Sequence, residues 1–268
     1  MAYKIGIIGG GSMGGAIACG LVASGEFAPE RVNVADLDEA RLAELSQSAG
    51  VGTYAQPLEM LAEVDPEVAI LAVKPQVMPS VLAQCSEALA GRLVISIAAG
   101  VPIATYEDAL PEARVIRIMP NLPIQVRSGA SALAVGSRAT ADDVARAQEI
   151  FSVLGSVGVM REDQVDVAGQ SVGCSPALYA LMIDCLTRAA VRRGMAAKDA
   201  RAMFISSMLG TAQMLQDSGE HPRAYMERVT SPGGTTIQFL RELEPLLAEG
   251  CELGIDAALA RNDELAGK

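Results

Sequence analysis

Along residues 1–161, short continuous runs of apolar residues alternate with longer segments of helical periodicity. Apolar runs bounded by turn residues are typical of strands buried on both faces, whereas apolar spacings of three and four residues are typical of helices. Asp38 stands where it would act as the N-cap of one such helix. The pattern predicts strands at 5–9, 31–35, 68–73, 93–97, 115–119, 129–135 and 157–160, and helices that include 12–24, 38–49 and 140–154.

The pattern changes after Arg161. Strand-like runs disappear, and Ala, Leu, Met and Arg recur at helical spacing through 176–195, 198–217 and 240–265. Pro176 suits the first turn of a helix, and Gly194 and Gly219 stand where helices would end. We predict an α/β protein with two domains, a doubly wound parallel sheet over residues 1–161 and an all-helical domain over residues 162–268.

The charge balance limits the partners of the chain. Its 268 residues include 32 acidic and 21 basic side chains, and the net charge of −11 argues against nucleic acid and anionic membrane as main partners. No run approaches the ~20 uninterrupted apolar residues of a membrane span, and the first residues lack the layout of a signal peptide. We expect a cytoplasmic protein.

Side chains that perform catalysis on their own are scarce. His221 is the single histidine, so Ser-His and Cys-His pairs and sites with several histidines are close to excluded. Lysine occurs at positions 4, 74, 198 and 268 alone, and the five cysteines are scattered without a C-x-x-C pair, which predicts reduced thiols and no metal site. A reaction catalysed by this chain would therefore draw its reactivity from a cofactor.

A glycine-rich motif follows the first predicted strand. Residues 9–14 read Gly-Gly-Gly-Ser-Met-Gly, a G-x-G-x-x-G pattern that opens the next helix. An ordinary glycine-rich turn is the alternative, but a preceding strand and a following helix are the context that dinucleotide binding requires. Gly9 permits the tight turn, Gly11 lets a pyrophosphate approach, and Gly14 allows close packing of helix on strand. We predict a Rossmann-like domain that binds a dinucleotide through Ile8, Gly9, Gly11, Ser12, Met13 and Gly14.

Asp36 ends the second predicted strand. A carboxylate at this position accepts hydrogen bonds from both ribose hydroxyls and repels a 2′-phosphate, which favours NADH over NADPH. Arg41 would compensate the negative charge if the loop folds back, and a carboxylate that merely caps a turn is the alternative. The sequence therefore predicts NADH or NADPH as cofactor, with a preference for NADH.

Three further strand ends converge on the same edge of the predicted sheet. They read Ala-Val-Lys-Pro at 72–75, Ser-Ile-Ala-Ala-Gly at 96–100 and Arg-Ile-Met-Pro-Asn at 117–121. Doubly wound sheets bind their ligands at the carboxyl ends of the strands, and small residues there leave room for a flat ring. Lys74 is either a cofactor contact or a surface charge. We predict cofactor contacts from Ala72, Val73, Lys74, Pro75, Ala98, Ala99 and Gly100.

One segment of the helical domain is unusual. Residues 229–236 read Val-Thr-Ser-Pro-Gly-Gly-Thr-Thr. A Pro-Gly-Gly turn before a helix exposes several backbone amides together, which suits a carboxylate, and the threonine hydroxyls add donors. An ordinary interhelical turn with threonine N-caps is the alternative. The candidate anion-binding residues are Gly233, Gly234, Thr235 and Thr236.

Together these motifs resemble the pyrroline-5-carboxylate reductase family. VTSPGGTT at 229–236, AVKP at 72–75, SIAAGV at 96–101, RIMPN at 117–121 and SGEHP at 218–222 carry a resemblance that runs along nearly the whole chain. It implies reduction of Δ1-pyrroline-5-carboxylate, a cyclic imine, to L-proline with NADH or NADPH, the last step of proline biosynthesis. It also implies a homodimer interlocked through the helical domain, often assembled into decamers, with the active site between the dinucleotide domain of one subunit and helices at the dimer interface.

The resemblance also suggests how the site works. Gly233, Gly234 and Thr235 would hold the substrate carboxylate, with Thr236 beside them, and the hydroxyl of Thr235 would act near the imine nitrogen. Asn121 would bind substrate and would line the side of the active site that faces the nicotinamide ring. A substrate bound as the iminium, or protonated by water, needs no strong side-chain acid, and we do not expect His221 to be one.

Two departures from the family pattern matter. The family usually reads S-G-S-G-P-A-Y, whereas residues 172–178 read Val-Gly-Cys-Ser-Pro-Ala-Leu. Leu178 therefore replaces the expected tyrosine, and Tyr179 follows about 100° further round a helix. Leu122 stands where the family's N-T-P motif has threonine. If the missing hydroxyls contact substrate or order water, the activity is slower or is directed to a related cyclic imine.

Three other functions stay open. A β-hydroxyacid dehydrogenase shares the two-domain layout, but the lysine it needs is missing from 176–195, where the basic residues are arginines. A reductase for another cyclic imine acid differs only in its substrate. A non-catalytic dinucleotide-binding regulator is favoured by Leu178 and Leu122, and binding without turnover would identify it.

Overall fold

The computed structural model describes residues 3–265. Contacts within the chain divide it into two compact units. The first contains the described residues up to 174 together with 259–265, and the second contains residues 175–258. This division falls after the first helix of the predicted second domain, and the predicted domain boundary between residues 161 and 162 stays a prediction.

The first unit is built on a sheet to which residues 5–159 contribute eight strands. The predicted apolar runs form its central strands, which are buried along their whole length. The strands are β1 (Ile5–Ile8), β2 (Val32–Ala35), β3 (Gly52–Tyr54), β4 (Val68–Leu71), β5 (Leu93–Ser96), β6 (Arg114–Pro120), β7 (Gly129–Val135) and β8 (Gly155–Val159). Their order across the sheet is β3-β2-β1-β4-β5-β6-β7-β8.

Helices cover both faces of this sheet. Ile7 and Ile70 pack into one apolar layer, while their neighbours Ile8 and Leu71 pack into the other, because successive side chains of a strand point to opposite faces. The predicted doubly wound α/β fold is therefore confirmed. The α-helices that lie wholly within this unit are α1 (Ser12–Ala23), α2 (Glu39–Ala49), α3 (Pro57–Val64), α4 (Met78–Leu89), α5 (Ile103–Ala109), α6 (Ala141–Ser152) and α7 (Glu162–Ser171).

The sheet departs from an all-parallel arrangement at β7, which runs antiparallel to β6, whereas the other neighbouring strands in the sheet are parallel. The connection over residues 121–128 contains a single 3₁₀ turn, Leu122–Val126. A parallel crossover needs a dozen or more residues, so this short connection turns the chain back on itself.

β3 and α7 are among the elements that were not predicted individually. β3 has only three half-buried residues at the edge of the sheet, too few to produce a periodic pattern. α7 begins at Glu162, and it packs on the sheet through ion pairs from Arg117 of β6 to Glu162 and Asp166. Asp38 is the N-cap of α2 as predicted, and its side chain accepts a 3.1 Å hydrogen bond from the amide of Arg41.

The second unit is helical. It contains α8 (Ser175–Val191), α9 (Ala197–Ser218), α10 (Pro222–Arg228) and most of α11 (Thr235–Leu265). Among the described residues of this unit, Ala200 is the one buried apolar residue. Large apolar side chains on its helices are instead exposed, among them Leu181, Met203, Leu209, Phe239, Leu246 and Leu253.

Candidate active site

The glycine-rich loop makes a tight turn between β1 and α1. Gly9 has a φ of +107°, in the left-handed region that favours glycine. A Cβ atom there would lie 2.8 Å from the carbonyl carbon and oxygen of Ala72 at the end of β4. A Cβ atom on Gly14 would collide with the carbonyl of Gly9. Two of the three motif glycines are therefore required by the turn itself.

Gly11 lies in a different environment from the other two. It is exposed at the N-cap of α1, and a Cβ atom there would meet nothing within 4 Å. Gly15 is already bonded back to the Gly11 carbonyl at 2.8 Å, whereas the amides of the first helical turn before it have no intrahelical partners. Open space beside these amides, at the positive end of the helix dipole, fits the pyrophosphate of a dinucleotide.

Asp36 lies against this loop. Its Oδ2 accepts a 2.5 Å hydrogen bond from the amide of Gly10, and its Oδ1 accepts one of 2.9 Å from the amide of Asp38. Arg41, in the first turn of α2, donates from Nε to the carbonyl of Gly10 at 2.8 Å. Both backbone polar groups of Gly10 are therefore held by charged side chains from the second βα unit.

The register of the sheet brings the predicted cofactor residues to one edge. Ile8 pairs with Ala35 on one side and Leu71 on the other, and Leu71 pairs with Ser96. The residues that follow these strand ends therefore share one edge of the sheet, and Ala72 donates to the carbonyl of Ile8 at 2.8 Å. They are the loop at 9–14, Asp36, Ala72, Val73, Lys74, Pro75, Ala98, Ala99 and Gly100.

A buried Ser–Tyr pair supports the loop at 98–100, which follows β5. Oγ of Ser96 donates to the Tyr106 hydroxyl at 2.6 Å and accepts from the amide of Ala98 at 3.2 Å. Burial raises the pKa of Tyr106, although the hydrogen bond from Ser96 and the charge of Arg117 partly oppose this. Sequence analysis missed this support, because its two members are ten residues apart and belong to different elements.

Asn121 lies at the end of β6 with its side chain buried. Oδ1 accepts a 2.8 Å hydrogen bond from the amide of Ala130, and Nδ2 donates to the carbonyl of Val172 at 3.4 Å. The amide therefore holds β7 and the segment after α7 in place, and its direct contact with substrate stays a prediction. The neighbouring Leu122, where the family pattern has threonine, is 51% exposed.

The segment 229–236 joins α10 to α11 in the second unit. The amide of Gly234 donates to the carbonyl of Ser231 at 3.0 Å and closes a turn in which Gly233 has a φ of +70°. Gly233 and Thr235 are exposed, and α11 begins at Thr235. The amide of Gly234 is already hydrogen-bonded within the turn. The groups that remain to bind an anion are therefore the first amides of α11 and the hydroxyls of Thr235 and Thr236.

Other residues considered in the sequence have defined positions. His221 is the N-cap of α10, and its Nδ1 accepts a 3.2 Å hydrogen bond from the amide of Arg223. Leu178 is half-buried on α8, and the adjacent Tyr179 is 50% exposed. Within the described residues 3–265, no group of three or more His, Cys, Asp or Glu side chains is placed to hold a metal ion.

Comparison with known proteins places the chain in a family. Residues 162–265 match the family described as pyrroline-5-carboxylate reductase dimerisation, and residues 4–100 match the one described as NADP oxidoreductase, coenzyme F420-dependent. The pyrroline-5-carboxylate reductase of Methanosarcina acetivorans is 40% identical over 257 residues, which cover 95% of this chain and 92% of that protein. The chain belongs to the pyrroline-5-carboxylate reductase family.

Solved structures of pyrroline-5-carboxylate reductases share the fold described above. The Coxiella burnetii structure has a TM-score of 0.92 and 31% identity, over 99% of both chains. The Plasmodium falciparum structure, with NADP bound, has a TM-score of 0.85 and 24% identity over 99% of this chain and 98% of that one, which shows the shared fold. The resemblance predicted from the sequence motifs is confirmed.

Proposed function

We propose that this chain reduces Δ1-pyrroline-5-carboxylate to L-proline with hydride from a nicotinamide dinucleotide, the last step of proline biosynthesis. The observation that carries the proposal is the pair of open helix N-termini, one after Gly11 and one at Thr235. The first suits a pyrophosphate and the second suits a carboxylate with hydroxyl donors beside it. Membership of the pyrroline-5-carboxylate reductase family supports the same assignment.

The residues at the start of α11 would bind and orient the substrate. The amides of Thr235 and Thr236 hold its carboxylate, and the left-handed Gly233 gives the turn its shape. The hydroxyl of Thr235 would lie near the imine nitrogen, where it would donate a hydrogen bond to the neutral imine or accept one from the iminium N–H. A polarised or protonated nitrogen makes the C=N carbon a better hydride acceptor. The nitrogen receives its proton from water or arrives protonated as the iminium, so the protein acts mainly by orientation and electrostatics.

The dinucleotide would bind along the carboxyl edge of the sheet, where it supplies the hydride. Gly11, Ser12 and Met13 would hold its pyrophosphate, because the open helix N-terminus there provides amides. The loops 72–75 and 98–100 line the nicotinamide end. Ser96 and Tyr106 hold the second of these loops in position.

NADH is the cofactor that we propose for this chain. The carboxylate of Asp36 is held beside the loop by two backbone amides. From there it would accept hydrogen bonds from the hydroxyls of the adenosine ribose. A 2′-phosphate at the same place is repelled. Leu37, which is 77% exposed, would offer an apolar surface to the adenine ring.

The chain would function as a homodimer or a larger assembly of dimers. The second unit leaves most of its large apolar side chains exposed, and exposed apolar patches of this kind mark subunit interfaces. The match of residues 162–265 to a dimerisation family points to a second copy of the chain as the partner that covers them.

The same interface accounts for one apolar helical stretch. The stretch Glu162–Val191 includes α7 and α8 and is long and apolar enough to cross a membrane. Of its most apolar 18-residue window, 6% is buried. The stretch lies inside the matched dimerisation region, so a second subunit is the partner that its apolar surface fits. We propose a cytoplasmic enzyme without membrane or nucleic-acid partners.

Analysis of the product tests this function. The purified protein is incubated with pyrroline-5-carboxylate and NADH deuterated at the transferred position of C4, and the proline is examined by chiral chromatography and mass spectrometry. The proposal predicts L-proline with one deuterium at C5. Reduction of a six-membered or 2-carboxylate imine in preference to this substrate would identify a different imine reductase. Dinucleotide binding without turnover of any imine would identify a regulator.

A further inference from the structure

The side chain of Arg41 lies against the glycine-rich loop at residues 9–14. Its Nε donates to the carbonyl of Gly10, and Nη1 forms a 2.5 Å ion pair with Glu44 one turn further along α2. The Asp36 carboxylate, in contrast, is held by the amides of Gly10 and Asp38. Two of the three guanidinium nitrogens of Arg41, the cation nearest this loop, are therefore engaged by other groups.

Gly15 provides the space for this arrangement. A Cβ atom on Gly15 would lie 2.7 Å from Nη2 of Arg41 and 3.1 Å from the carbonyl of Gly10. Any larger residue would displace the guanidinium from its position over the first turn of α1. Gly15 lies just outside the G-x-G-x-x-G motif. Its lack of a side chain leaves the space that the guanidinium of Arg41 occupies.

Glu44 adds negative charge to the same region. Its side chain is 64% exposed while that of Arg41 is 30% exposed, so the pair lies at the rim of the loop where solvent and ligand have access. A 2′-phosphate brings roughly two negative charges. Glu44 opposes that phosphate directly through its own charge and indirectly because it occupies Nη1 of Arg41.

We infer that Glu44 is a specificity-determining residue for the dinucleotide, because it holds Arg41 on the Gly10 carbonyl and so withholds this cation from a ribose 2′-phosphate. The inference rests on the proposed function in one respect, that a dinucleotide binds at this loop. The Arg41–Glu44 pair of α2 would thus act beside Asp36 as a second determinant of the preference for NADH.

Calorimetric binding of two probes without nicotinamide tests the inference. ADP-ribose and 2′-phospho-ADP-ribose are titrated into the wild-type chain, Glu44→Gln, and the double variant Arg41→Gln with Glu44→Gln. The quantity compared is the ratio of the two Kd values. Glu44→Gln is expected to shift this ratio about five-fold in favour of the phosphorylated probe, the size of one exposed charge pair. The double variant is expected to lose that gain.

Glu30→Gln provides the matched control. Glu30 is an exposed glutamate that precedes β2, at the end of the strand opposite to Asp36, and its substitution makes the same change in net charge. An unchanged ratio in Glu44→Gln would overturn the inference, as would an equal shift in Glu30→Gln or a gain that persists in the double variant. Failure of both probes to bind the wild-type chain would overturn the proposed cofactor site as well.

Discussion

The amide of Gly10 donates a 2.5 Å hydrogen bond to Oδ2 of Asp36, which joins the loop after β1 to the end of β2. This bond holds a carboxylate at the place where the adenosine ribose of a dinucleotide lies in Rossmann-like domains. We therefore expect the charge of Asp36 to contribute to the choice between a ribose hydroxyl and a ribose phosphate.

Asp36→Asn is expected to shift the cofactor preference towards NADPH. Asparagine keeps an oxygen for the amide of Gly10 but removes the charge, so the affinity for NADH falls about ten-fold and that for NADPH rises. Fluorescence titration with both dinucleotides gives the two Kd values. Equal losses for NADH and NADPH would mean that Asp36 only supports the loop.

Thr235→Ala is expected to lower kcat/KM for the imine about ten- to a hundred-fold, because it removes the hydroxyl that we propose to hydrogen-bond the reacting nitrogen. Thr235→Ser should retain most of the rate. The control is Thr230→Ala, since Oγ1 of Thr230 donates to the carbonyl of Met226 within the same segment and has no proposed catalytic role. If Thr235→Ala retained the wild-type kcat/KM, the assignment of Thr235 would be wrong.

Leu209→Glu is expected to weaken the assembly of subunits. Leu209 is 70% exposed on α9, and burying a glutamate in an apolar interface carries a large desolvation cost. Sedimentation velocity should show monomers at concentrations where the wild-type chain is a dimer or larger. Leu58→Glu places the same substitution at a 40% exposed leucine of the first unit and should leave the assembly intact. An unchanged assembly in Leu209→Glu would place the interface elsewhere.

Asp143→Asn is expected to lower the free energy of unfolding by about 2–4 kcal/mol at neutral pH, since Asp143 completes the capping box of α6 with Thr140 and pairs with Arg114 at 2.9 Å. Burial alone would raise the pKa of Asp143, but the hydrogen bonds from Thr140 and Arg114 outweigh it and lower the pKa.

This lowered pKa also sets the pH at which the contribution of Asp143 is lost. Because the folded pKa lies below the unfolded value of about 3.9, the contribution is complete at higher pH and disappears as pH falls through the folded pKa. Urea unfolding of wild-type and Asp143→Asn chains should therefore show a difference that shrinks below about pH 4. A difference independent of pH would argue against the ion pair.

Local patterns were enough to predict the central sheet and the glycine-rich turn between β1 and α1. Buried parallel strands appear as continuous apolar runs, and the loop glycines are constrained by the turn that contains them. β3 was missed because its three residues at the sheet edge carry no periodicity. The reversed direction of β7 depends on the compact turn at 122–126, whose conformation the apolar pattern does not contain.

The supports of the site depend on contacts between distant segments. The position of Arg41 requires α2 to lie close to α1, so that the Arg41 side chain of α2 reaches over Gly15 of α1. The hydrogen bonds of Asn121 to Ala130 and Val172 likewise join segments that only the fold brings together. Sequence analysis named Arg41 and Asn121 but did not identify these partners.

The central claim is that this chain reduces pyrroline-5-carboxylate, and steady-state kinetics test it most directly. Oxidation of NADH and NADPH is followed by near-ultraviolet absorbance with pyrroline-5-carboxylate and with the same ring lacking its carboxylate. We expect kcat/KM above about 10⁴ M⁻¹s⁻¹ for the carboxylate substrate with NADH, and far lower values without the carboxylate. Measurable binding of NADH with no oxidation in the presence of pyrroline-5-carboxylate would contradict it.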